Sequence, residues 1–171
     1  MKRTFDLKPG KPLLTPAIVK RIVDCLKPAV RSLLEFYERP FLHAVILDPL
    51  DHKNVLYDGP LIGDAKDYRK PYDLVARKKA AVCARTGLDN GDVHAVAPFL
   101  LTEGDVIYPQ GGVNYHGLVV ATSGAQGPVD EAVSRMIAWH LLAWCQVEMQ
   151  KLQAEAPKGG PFLIPKIRAN R

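Results

Sequence analysis

The stretch that most constrains this chain runs from residue 104 to 131, G-D-V-I-Y-P-Q-G-G-V-N-Y-H-G-L-V-V-A-T-S-G-A-Q-G-P-V-D-E. It alternates short β-prone runs with glycine-rich breaks and ends in a helix start. Residues 106–108 and 118–122 are rich in β-branched and aromatic side chains, which suit a pleated, half-buried surface. Gly111 and Gly112 permit a corner with positive φ or a close backbone approach. His116 and Gly117 are few enough for a two-residue hairpin turn. Residues 123–127 break the strand, and Pro128 suits a first helical position. Asp130 and Glu131 suit the positive end of the helix dipole. The expectation is strand, corner, strand, hairpin turn, strand, loop and long helix.

The rest of the chain must cover both faces of the sheet so begun. Thr15 and Pro16 open an amphipathic helix in which Ile18, Ile22, Leu26, Val30, Leu33 and Tyr37 recur every three or four residues. Pro28 predicts a kink or a split in it, and Pro40 its end. Residues 41–47 read as a central strand, 51–54 as a turn and 55–57 as the returning strand. His43 reads as a core or edge histidine and His52 as a solvated turn residue. Residues 58–71 read as a loop. A second helix spans 72–86, with Leu74, Val75, Ala81 and Val82 on its apolar face and Gly87 as C-cap. A short third helix is expected over 89–101. The last helix, 128–154, is apolar almost all round between Met136 and Cys145, which predicts burial on more than one side, His140 included. A neighbouring subunit would supply the second side, so a homo-oligomer is expected. The tail holds Phe162, Leu163 and Ile164 and reads equally as an arm docked on a neighbour or as a disordered end.

These elements predict an α+β fold, five mostly antiparallel strands in layers with helices on both faces. The organisation is an irregular arm over 1–14, a single domain over 15–156 and a tail over 157–171. A chain of 171 residues fits one domain. No apolar run approaches the roughly 20 residues of a membrane helix, and the first residues lack the apolar core of a signal peptide. Cys25, Cys83 and Cys145 are widely spaced, odd in number and set in apolar helical stretches. They read as buried free thiols in a reducing compartment, so a cytoplasmic location is expected. The positive charge sits at the ends: residues 1–12 carry four Lys/Arg against one Asp, and 158–171 carry four with no acid. The body has no basic stripe with interleaved aromatics, so no nucleic-acid partner is expected.

Nucleophile elbow, P-loop, zincin and dinucleotide signatures are all absent. The five histidines include no i, i+4 pair, so no metal site is expected. What remains is a pocket where the second helix meets the 104–131 stretch. Gly111 and Gly112 can present backbone N–H groups to an anion. Lys79 follows Val75 and precedes Val82 and Cys83 at helical spacing. It either snorkels to solvent or supplies the charge of the site. Tyr108, Asn114 and His116 can supply directional hydrogen bonds or proton transfer. The glycine pair reads equally as a bulge, and His116 equally as an exposed turn residue.

The G-G-V, the apolar strand ending S-G-A and the x-D-E-A helix start resemble the HbpS/GlcG-like family, in which haem-binding and haem-degrading proteins are found. Lys79-Ala80 resembles a second family feature. The resemblance spans residues 15–150 in element order and is specific over 111–131. It implies a profilin-like α/β/α layer fold. It also implies a small-ligand-binding domain for haem or a related tetrapyrrole. Haem needs an axial ligand, for which His116, His94 or Met136 are the candidates here, and a cation for a propionate, for which Lys79 or Arg77 are; the resemblance itself carries over no axial ligand. A second reading is a small cofactor-free enzyme acting on an acidic metabolite, with Lys79 as anion anchor and His116 as acid/base. A third is an oligomeric scaffold without chemistry.

Overall fold

The computed structural model describes residues 12–155; the tail and most of the N-terminal arm lie outside the described residues. Helix α1 (Pro16–Phe36) is followed by β1 (Leu42–Leu47), β2 (Val55–Ile62), α2 (Tyr72–Thr86), α3 (Asn90–Val96), β3 (Gly112–Tyr115), β4 (Leu118–Ser123) and α4 (Gly127–Glu155). The strands form one sheet in the order β2-β1-β4-β3, with every pairing antiparallel.

Antiparallel sheets often leave one face to water, yet β1 and β4 are buried along their whole length. The reason is a helix layer on each side. Leu42, Ala44 and Ile46 of β1 and Leu118 and Val120 of β4 pack into the core under α1 and α4. The alternate residues, Val45, Leu47, Val119 and Ala121, pack under Ala76, Ala80 and Cys83 of α2. Those three α2 residues are small and lie at i, i+4 and i+7, so the helix can sit close to the sheet. From α1, Val19, Val23, Leu26, Val30 and Leu34 are buried, each stabilising the fold by roughly 1.5–3 kcal/mol.

Several expectations are corrected. The sheet has four strands, not five, among the described residues. Residues 106–108 do not pair. Val106 is instead buried with Val82 and Val93 beneath α2 and α3, and the Tyr108 carbonyl accepts from the Asn90 side chain at 2.7 Å. A hydrophobic sink off the sheet outcompeted the ladder, and Pro109 removes a donor. Strand β2 runs on through Gly59 and Pro60 to Ile62, where a loop was expected. Pro60 is tolerated because β2 is an edge strand. Pro28 does not split α1, which is continuous. The third helix ends at Val96, and a separate 3-10 turn covers Pro98–Leu100. His52 is not simply solvated: Nε2 donates to the Gly117 carbonyl at 2.7 Å and ties the β1–β2 turn to the β3–β4 hairpin. The hairpin turn, the Gly87 C-cap and the span of α2 are as expected, with His116 and Gly117 at φ of 53° and 91°.

No helix of the described residues is long and apolar enough to cross a membrane. All three cysteines are free, but only Cys83 is fully buried, and Cys25 is exposed. Burial pushes the Cys83 thiol up to about 12, so it offers almost no thiolate at neutral pH. With an aromatic disulfide reagent, Cys25 is expected to react quickly, Cys145 slowly and Cys83 only on unfolding. Rapid labelling of all three in the native protein would contradict this packing.

Candidate functional site

The 104–131 stretch and α2 meet around one buried ion pair. Lys79 sits almost two turns into α2, between the alanine stripe and Val82, and its side chain is only 2% exposed. Its ammonium donates to Asp130 Oδ2 and to the Thr122 carbonyl, each at 3.0 Å. Lys79 therefore neither snorkels nor stands free. Asp130 lies in the first turn of α4, and its Oδ1 also accepts the Ala125 N–H at 2.9 Å. The Thr122 hydroxyl donates to the Asp130 carbonyl at 2.7 Å, and the Ser134 hydroxyl to that of Gly111 at 2.8 Å. Burial pushes the Asp130 carboxyl above the usual carboxylate range, against the opposing pull of Lys79.

Gly111 is required by this pair. A Cβ there would lie 2.5 Å from Lys79 Nζ and 2.8 Å from both the Thr122 carbonyl oxygen and Asp130 Cβ. Gly112 lies as close to α2, where a Cβ would meet Cys83 Sγ at 2.8 Å. The two glycines thus let the backbone of β3 press onto α2.

A cleft of about 450 Å³ opens over the ion pair. Its floor holds Lys79 and Asp130, its walls the 123–127 loop and the start of α2, and its rim Tyr108, Gln110 and Lys70. Lys70 has no acidic partner among the described residues.

Of the residues singled out from sequence, Lys79, Gly111 and Gly112 come together, and Tyr108 joins them at the rim. Asn114 is set apart: its N–H donates to Asp89, its side-chain amide donates to the Cys83 carbonyl, and its side-chain oxygen accepts from Gly117. It holds the hairpin on the C-terminal end of α2. His116 is exposed at the hairpin tip, five residues from Gly111 and so roughly 16 Å away along the strand. An acid/base role for it on a ligand held over Lys79 has no geometric support. His94 lies in α3, and Met136 packs against the core under α1 and α4. Arg77 is bound by Asp58 and Asp73. Among the described residues the cleft lining contains no His, Met or Cys, which leaves Tyr72 and Tyr108 as its side chains of a type that ligates haem iron. His140 is exposed, with Nδ1 2.8 Å from the Met136 carbonyl oxygen, because that side of α4 faces outward.

Asp130 is the site residue that sequence reasoning read only as a helix-dipole partner. A lysine on an apolar helix face demands a carboxylate, and an Asp in a first turn after a glycine-rich loop is well placed to supply one. Thr122 and Ser134 carried no such signal.

No protein-family model matches the chain, and no curated protein matches it. Solved structures do. The Ybr137w protein aligns with 75% of this chain and 79% of its own, at 17% identity and a TM-score of 0.53. HbpS aligns with 81% of this chain and 96% of its own, at 19% identity and 0.50. A Streptomyces reticuli HbpS with two Glu-to-Asp substitutions gives 81%, 92%, 22% and 0.51. The chain has an HbpS-like fold. In this HbpS-like framework the glycine corner and the S-G-A loop, which carried the sequence resemblance, are the segments that enclose the Lys79–Asp130 pair.

Proposed function

We propose that this HbpS-like domain binds a small anionic molecule in the cleft over Lys79 and Asp130. The supporting observation is the combination of a charge-compensated floor, an unpaired Lys70 at the rim and a wall made by the first turn of a 29-residue helix. The amino end of a long helix favours negative charge, and with the floor neutralised Lys70 sets the sign of the cleft. Tyr108 and Gln110 add neutral hydrogen-bonding groups for orientation. Haem, the ligand implied by the resemblance, has less support because the cleft offers no His, Met or Cys and only tyrosines as axial donors.

Titration with succinate and with inorganic phosphate, followed by amide NMR, tests the reading, with haemin absorbance in parallel. Amides of Gly124, Ala125 and Gly127 are expected to shift. Binding should weaken about tenfold in Lys70→Ala, as for loss of one charged hydrogen bond, and should fall with added salt. A haemin Soret shift with no response to either anion would favour the tetrapyrrole reading instead. No response in the 123–127 amides to any of the three would overturn the site.

Self-association belongs to the same reading. It is supported by Trp139 and Val147, which are 60% and 46% exposed on α4. Light scattering at micromolar concentration should return more than one protomer, and a clean monomer would refute it.

A further inference from the structure

A second cleft lies on the α2 face of β1, beside the loop that leads into α2. It measures about 480 Å³ and is lined by His43, Tyr68, Arg69, Lys70, Asp73 and Arg77, with Ala65 and Pro71. Its chemistry rests on a chain of three side chains that no sequence motif announces. In the β1–β2 ladder Val45 faces Asp58 and His43 faces Pro60, so the His43 and Asp58 side chains are diagonal neighbours on one face. His43 is only 3% exposed. Its Nε2 lies 2.7 Å from Asp58 Oδ1, and its Nδ1 lies 3.3 Å from the Tyr68 hydroxyl.

An ionised carboxylate only accepts, so Asp58 fixes the proton on Nε2 and leaves Nδ1 of the neutral ring as an acceptor. Arg77 holds Asp58 in turn, with Nε 2.7 Å from Oδ2. Burial pushes the Asp58 carboxyl up, but the Arg77 and His43 hydrogen bonds outweigh it and hold it below the usual carboxylate range. The acceptor role of Asp58 is therefore secure at neutral pH. Burial also pushes the Tyr68 phenol up to about 12, so it keeps its proton. The Tyr68 ring is boxed edge-on by Phe41, His43 and Tyr72, which holds the hydroxyl at the cleft. Its 3.3 Å separation from Nδ1 is long beside the usual value of about 2.8 Å for a hydroxyl donor. That hydroxyl can turn to a ligand at little cost, and Nδ1 is then open to a donor from the same ligand. Arg69 and Lys70, adjacent and exposed, have no acidic partners among the described residues.

We propose that this cleft is a second ligand site, selective for a small oxyanion that carries a hydroxyl group. Arg69 and Lys70 take the anion, the Tyr68 hydroxyl donates to the oxygen of the ligand's hydroxyl group, and that group in turn donates to His43 Nδ1. Asp58 is a positioning residue that acts through the tautomer of His43. The site shares Lys70 and Pro71 with the cleft over Lys79 and no other lining residue, so Arg69, which lines this cleft alone, is the cation whose replacement tests it separately.

Malate and succinate are the probes, since they carry the same two carboxylates and differ by one hydroxyl. Titration followed through the His43 ring nitrogens should show malate binding about threefold to tenfold more tightly than succinate, the worth of one added hydrogen bond. Arg69→Ala should weaken both about equally. Tyr68→Phe should reduce the preference for malate while leaving succinate nearly unchanged, and both variants should leave the Gly124 and Ala125 amides as in the parent. Equal affinity for the two acids, or a His43 ring that does not respond to malate, would overturn the proposal.

Discussion

Lys79→Met is expected to destabilise the fold by about 3–5 kcal/mol, the cost of stranding one charge of a buried pair. With both side chains almost fully buried, solvent cannot take over the role of the lost ammonium. The deficit has a defined pH dependence. Burial already raises the folded-state pKa of Asp130 above its unfolded value, so the ionised form is a cost that fades as pH falls below that pKa. Removing Lys79 removes the opposing charge and raises it further. The gap in urea midpoint between variant and parent should therefore narrow as pH falls from neutral toward the ordinary carboxylate range. Adding Asp130→Asn should restore most of the loss, because no charge is then buried and the amide oxygen can still accept from Ala125. A single variant as stable as the parent at neutral pH, or a double variant no better than the single one, would show that the pair does not carry this junction.

Gly124→Ala is expected to cost about 3 kcal/mol or more, from positive-φ strain and overpacking together. Gly124 has φ of 147°, and a Cβ there would collide with the Phe41 carbonyl oxygen and lie 2.9 Å from Leu42 Cα. Both are backbone atoms at the start of the central strand, so no rotamer change relieves the contact. Gly87→Ala is the control. It too has positive φ, 74°, but a Cβ would have nothing within 4 Å, so only the backbone term of about 1–2 kcal/mol applies. Comparable losses for the two variants in urea unfolding would mean that close packing of the S-G-A loop against β1 is not what Gly124 provides.

Much of the architecture was legible because it rests on local rules. Thr15, Pro16 and Gly87 mark helix ends through capping and φ preference. The His116-Gly117 turn follows from loop length alone. Two helix layers over one antiparallel sheet follow from apolar runs that have no polar face to offer water. The glycine corner was visible as a place of close approach, and Lys79 as a lysine on the wrong side of its helix for a solvated group.

What the tertiary structure decided were the outcomes that depend on partners distant in sequence. Residues 106–108 have the composition of a strand, but Val106 buries more by sinking between α2 and α3 than by extending the sheet. Pro60 does not end β2 because β2 lies at the edge, and edge position is a property of the strand order. Lys79 is an ion-pair member rather than a free anchor because β4 and α4 deliver a carbonyl and a carboxylate to it. His43, Asp58 and Tyr68 form a chain only through the β1–β2 register and the fold-back of the following loop. In each case the local preference is worth about 1 kcal/mol or less per residue, whereas exposing an apolar side chain or leaving a buried charge without its partner costs several times that. Long-range contacts therefore overrule local preference wherever the two disagree, and both clefts lie among such places.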